Sequence, residues 1–126
     1  MKKKITVLGS FSGRNSGDVA ILSSIVSEIS KLSSDVEFEV PTTNPSFILE
    51  EFPDGNVKPV SAMPWNLSLR LLGVSVFRSV KRTDITMITA GVLNDLRLFN
   101  PVFSFLLALR FLIPYAKKHN KPVVCF

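Results

Sequence analysis

The sequence predicts an α/β fold around a parallel five-stranded sheet, on three observations. Short apolar runs alternate with helical patterns five times along the 126 residues. The run Ile85 to Thr89 is apolar enough for a central strand buried on both faces. The first run, Ile5 to Leu8, passes through a glycine-rich loop straight into an amphipathic helix, as a βαβ unit does. Right-handed crossovers then give a three-layer, Rossmann-like arrangement with strand order 3-2-1-4-5.

Each element has its own signal. The first helix runs from about Gly17 to Leu32, with Leu22, Ile25, Val26, Ile29 and Leu32 on one face and Asn15 or Ser16 as its N-cap. Strand two, Val36 to Val40, ends at Pro41, and Asn44 caps a short helix that has Pro45 at its first position and stops near Phe52. Asp54-Gly55 is a turn, and Val57 to Val60 is a third strand that Pro59 confines to the sheet edge. A helix over Asn66 to Arg82 places Arg70, Arg78 and Lys81 in one cationic sector, either a solvated face or a surface for anionic lipid. After strand four, Asn100-Pro101 opens a helix that reaches His119, is kinked by Pro114 and is closed by Asn120. Strand five, Val123 to Phe126, is where the sequence stops, with no crossover beyond it. A domain continuing past residue 126, as the first half of a two-domain molecule, is therefore expected.

Composition narrows the function classes. With 46% apolar residues the chain can bury the core of one domain. The formal charge of +5 comes partly from Lys2-Lys3-Lys4 and is otherwise spread, so no nucleic-acid partner is predicted from it. One cysteine, Cys125, and one histidine, His119, exclude an internal disulfide and an ordinary zinc site, and neither metal nor cofactor is predicted. The apolar run after the lysines is about four residues, against the roughly 7 to 15 of a signal peptide's core, and it reads as a cytoplasmic first strand. The most apolar stretch, Val102 to Ala116, is interrupted by Arg110 and Pro114 and falls short of the roughly 20 residues that span a bilayer.

The loop over residues 8–20 is the place for a site, because its glycines admit positive φ and close ligand approach and the following helix turns free N–H groups toward it. A phosphate-binding P-loop needs lysine and Ser/Thr after its last glycine, whereas Gly17 is followed by Asp18. A dinucleotide fingerprint needs G-x-G-x-x-G, and here the glycines are four apart. Nucleoside triphosphates and nicotinamide cofactors are disfavoured on those grounds.

The run Gly9-x-x-x-Gly13-x-Asn15-x-Gly17-Asp18-x-Ala20-Ile21-Leu22 resembles the opening loop of the polysaccharide pyruvyl transferases. A second segment, Asp84 to Asp95, is similar to that family's strand ending in glycines, a leucine and a polar or acidic residue, although Ala90 and Val92 stand where glycines are usual. The resemblance implies a two-domain, glycosyltransferase-like enzyme that moves the pyruvyl group of phosphoenolpyruvate onto paired sugar hydroxyls as a ketal. It also implies that the donor is held mainly by the C-terminal domain and that this half serves the sugar or glycan acceptor. On that reading Asp18 is the candidate catalytic residue, as a general base or a carboxylate that positions the hydroxyl, and Gly9, Gly13, Asn15, Gly17, Asn94 and Asp95 bind substrate.

Ordinary structural roles stand beside these. Asn15 and Asp18 suit a helix cap and a carboxylate complementing the helix dipole, and Asn94-Asp95 suits a turn after a strand. His119 is expected at a helix C-terminus on the edge away from the loops, bonded to the last carbonyls, and Cys125 is expected to be buried in the last strand. Two other functions remain open, a sugar-nucleotide glycosyltransferase of similar build and a non-catalytic glycan- or anion-binding module. The apolar last helix suggests a core helix, a peripheral contact with the membrane surface or self-association.

Overall fold

The computed structural model describes residues 1–11, 13, 16–62, 73–89 and 105–126. Its strands are β1 (Lys3–Leu8), β2 (Val36–Thr42), β3 (Val57–Ser61), β4 (Ile85–Ile88) and β5 (Val123–Cys125). All pair in parallel in the order β3-β2-β1-β4-β5, the predicted order. The described helices are α1 (Ser16–Leu32), α2 (Pro45–Glu51), α3 (Val74–Arg82) and α4 (Phe105–Lys118).

Strand periodicity divides the core into two layers. Ile5 and Val7 of β1, Phe38 and Val40 of β2 and Met87 of β4 pack under α1 and α2, where Leu22, Ile25, Val26 and Ile48 meet them. Leu8 and Ile88 face the other way, toward Val76 and Val80 of α3 and Ala108, Leu109, Leu112 and Ala116 of α4. The helices reached by moving one way from β1 thus lie on one face and those reached by moving the other way lie on the opposite face, as right-handed crossovers require.

β2 is longer than the sequence reading allowed, and hydrogen-bond alternation explains why. Phe38 N–H donates to Asn56 O and Ala62 N–H donates to Thr42 O, so even-numbered residues of β2 turn their amides toward β3. Pro41 therefore faces the β1 side, where pairing ends at Thr6 and Glu39, and its missing N–H leaves the ladder to β3 intact. By the same alternation Pro59 turns toward the free side of β3, which lies at the sheet edge as expected.

Helix ends follow the predicted chemistry. The Asn44 side chain accepts the Phe47 N–H at 3.4 Å, with Pro45 in the first turn of α2. At the end of α4, Asn120 takes φ of 55° while its N–H donates to Lys117 O and that of Lys121 donates to Ala116 O, a Schellman closure. Pro114 sits within α4 on its exposed side, so the carbonyl it leaves without an amide partner lies toward water. α3 begins after Gly73, and the predicted start near Asn66, with Arg70, lies outside the described residues. No helix among the described residues is long and apolar enough to cross a membrane.

One burial expectation is overturned. Cys125 is exposed, as are Val124 and Phe126 beside it. β5 spans three residues at the sheet edge, with a strand neighbour on one side, so position in a strand does not bring burial here.

Candidate functional site

At the carboxyl edge of the sheet the loop leaving β1 meets the turn leaving β2. Phe11 folds back into the core, 2% exposed, and its carbonyl accepts a 2.6 Å hydrogen bond from the Thr42 hydroxyl. That hydroxyl also accepts the Asn44 N–H at 3.0 Å, so one buried threonine ties the glycine loop to the cap of α2. Thr89, just past β4, donates its N–H to Leu8 O at 3.1 Å and closes the third side of the edge. Parallel topology therefore collects Gly9, Gly13, Gly17, Asp18, Thr42, Asn44 and Thr89 at one end of the molecule.

Two loop glycines are explained by packing. A Cβ on Gly9 would lie 2.4 Å from the Phe11 ring and 2.8 Å from the Thr89 hydroxyl. Gly13 has φ of +79°, and a Cβ there would lie 2.8 Å from the Phe47 ring of α2. Gly17, by contrast, is exposed in the first turn of α1, beside the half-buried Asp18 whose charge complements the helix N-terminus. Asn15, Asn94 and Asp95 lie outside the described residues. Strand topology by itself places Thr42 at this edge, but its bond to Phe11 is not legible in the sequence; a threonine following a proline at a strand end gives no signal for a bond to a loop 31 positions earlier.

Away from this edge the sheet holds a second polar group, which the sequence reading also missed. Glu39, 2% exposed on β2, accepts Arg82 Nε at 2.7 and 2.9 Å and the Ser79 hydroxyl at 2.5 Å. The Thr6 hydroxyl lies 3.0 Å from that of Ser79 and 2.7 Å from that of Thr83. Pairing with the carboxylate raises the pKa of Arg82, mainly through the hydrogen bond. Two places along, the Lys58 ammonium bonds the Glu37 carboxylate at 2.8 Å and holds it below its ordinary pKa, with Lys4 adding a weaker attraction. The signal was present: Glu37 and Glu39 share one face of a buried strand, and Ser79 of α3 and the following cap residue Thr83 are four positions apart. Glu39 is closed in by these donors, so its role is to fasten α3 to the sheet.

His119 sits at the opposite edge, its Nδ1 2.9 Å from Tyr115 O and its ring 4.4 Å from that of Tyr115, as expected of a helix-terminal imidazole. Among the described residues no group of three or more His, Cys, Asp or Glu is placed to hold a metal ion. No family model matches the sequence, and neither a curated protein nor a solved structure matches it.

Proposed function

We propose that this chain forms the acceptor-binding domain of a polysaccharide pyruvyl transferase, working in the cytoplasm. The observation that carries the reading is the glycine-rich loop that leaves β1 at the carboxyl edge of a parallel sheet and enters α1 with Gly17-Asp18 in its first turn. The motif closed by Asn15-x-Gly17-Asp18 links that geometry to the family it resembles. Phosphoenolpyruvate is gripped mainly by a second domain. Two sugar oxygens bond to C2 of phosphoenolpyruvate, phosphate leaves with its bridging oxygen, and of the two hydroxyl protons one goes to C3 and the other to the departing phosphate. In that sequence Asp18 accepts a hydroxyl proton or holds the hydroxyl in line, while amides of the loop orient the sugar.

Isothermal titration with an acidic oligosaccharide, a UDP-sugar and phosphoenolpyruvate separates the readings. The proposal expects the oligosaccharide to bind and phosphoenolpyruvate to give no heat with this chain alone. Asp18→Asn should weaken oligosaccharide binding about tenfold, the loss of a hydrogen bond to a charged group. In an enzyme carrying both domains the same variant should lower turnover by roughly 10²-fold or more with little change in melting temperature. UDP-sugar binding without oligosaccharide binding would replace the proposal with a glycosyltransferase, and near-normal turnover in Asp18→Asn would remove Asp18 from the chemistry.

A further inference from the structure

The two helical layers carry opposite charge. α1 and α2 hold Asp18, Glu28, Glu50 and Glu51 against one cation, Lys31. α3 and α4 hold Arg78, Lys81, Arg82, Arg110, Lys117 and Lys118 and not one carboxylate. Arg82 is engaged by Glu39, and Asp84 just beyond α3 accepts the backbone N–H of Lys4. The other five cations are exposed, and among the described residues none of them is ion-paired.

These cations share one surface. In α3 the exposed positions are Val74, Arg78, Lys81 and Arg82, and in α4 they are Arg110, Phe111, Pro114, Lys117 and Lys118, spaced in both cases for a single outward stripe. The helices pack side by side, with Phe77 and Tyr115 meeting edge to face at 4.9 Å between them. Both lie over the same face of the sheet, so the stripes form a broad, shallow surface. Large apolar groups stand out of it among the charges: Val74 is 74% exposed and Phe111 is 52% exposed.

We infer that the α3–α4 face docks on an anionic lipid surface. Cations alone would suit any polyanion. Exposed Phe111 and Val74 between them add what the headgroup boundary rewards, apolar side chains that enter it while lysine and arginine stay with the phosphates. The acidic α1–α2 layer would then face away from the membrane. This inference is independent of the proposed enzymatic activity, since no residue of the glycine loop takes part.

Co-sedimentation of the full chain with vesicles tests it. Vesicles of phosphatidylcholine with about 30% phosphatidylglycerol should carry the protein down at about 0.1 M salt, pure phosphatidylcholine vesicles should not, and about 0.5 M salt should release it. Each cation near such a surface is worth about fivefold in partitioning, so Arg110→Gln with Lys117→Gln and Lys118→Gln should reduce it on the order of 100-fold. Phe111→Ser should weaken binding at unchanged charge, and Glu50→Gln with Glu51→Gln on the opposite layer should not weaken it. Circular dichroism of each variant reports folding, and the salt and lipid dependence of the unmodified chain needs no variant. The inference is overturned by equal binding to both vesicle types or by no binding to either. It is also overturned if a DNA duplex binds more tightly than the vesicles, or if light scattering shows that the same face is closed in a dimer.

Discussion

Gly13 joins backbone conformation to side-chain packing at a single position. Its φ of +79° is one that a residue with a Cβ enters at a cost of about 1–2 kcal/mol. The Phe47 ring stands where that Cβ would go, so the two penalties combine. Gly13→Ala should therefore lower stability by about 2 kcal/mol or more, read as a shift of the urea midpoint; an unmoved midpoint would refute this account of the loop. Thr86 and Thr6 make a contrasting pair, adjacent in the β1–β4 register and both buried. The Thr6 hydroxyl has two partners, whereas that of Thr86 has none among the described residues. Thr86→Val removes an uncompensated desolvation and should stabilise by about 1 kcal/mol, while Thr6→Val takes one partner from the Ser79 and Thr83 hydroxyls, which keep Glu39 and Ser79 O, and should cost about 0.5–1.5 kcal/mol. Thermal unfolding of both variants checks the sign, and a loss in Thr86→Val would show that its hydroxyl has a partner.

Among the elements, α3 is held differently from α1. α1 rests on aliphatic side chains, whereas α3 adds Ser79, Arg82 and Thr83 to its apolar contacts and binds through Glu39 and Thr6. Such a seam fixes where along the sheet the helix sits, because donors must meet acceptors. β2 and β3 are joined by a second ionic contact, Lys58 to Glu37, which lowers the Glu37 pKa in the folded state. A carboxyl whose folded pKa is depressed contributes stability above its unfolded value of about 4.5, and the contribution is lost as pH falls through the folded value. Lys58 is largely exposed, so the contact is worth about 0.2–1 kcal/mol. Lys58→Met should thus be less stable than the unmodified chain at pH 7, and the difference should close as the pH falls well below 4.5. A gap that stayed constant with pH in urea titrations would assign the effect to packing of the lysine stem.

Across the whole molecule, stability is distributed unevenly. β1 lies at the centre, with β2 and β4 as neighbours, and its last four residues are buried. β5 is three residues long, its partner among the described residues is β4 alone, and two of its residues are exposed. Hydrogen exchange should find the amides of Ile5, Val7 and Leu8 opening only with global unfolding and those of Val124 and Phe126 opening first. Equal protection at the two places would mean that β5 is covered in solution. Charge is just as uneven, with the acidic layer on one side of the sheet and the basic layer on the other.

The strand order, the parallel pairing, the Asn44 cap, the Asn120 closure and the edge position of β3 were legible because each is written in neighbouring residues. Periodicity, a proline or a cap residue acts within a few positions of itself. The glycine loop was legible as a junction between strand and helix, yet the reasons for Gly9 and Gly13 were not, since they are the rings of Phe11 and Phe47. Tertiary structure alone decided that Pro41 belongs inside β2, that Glu39 is fastened by a helix 40 positions later and that Cys125 faces water. Each depends on which neighbour lies across the sheet or above it, and that proximity is created by the crossovers, whereas a strand's own sequence records only which of its faces is apolar.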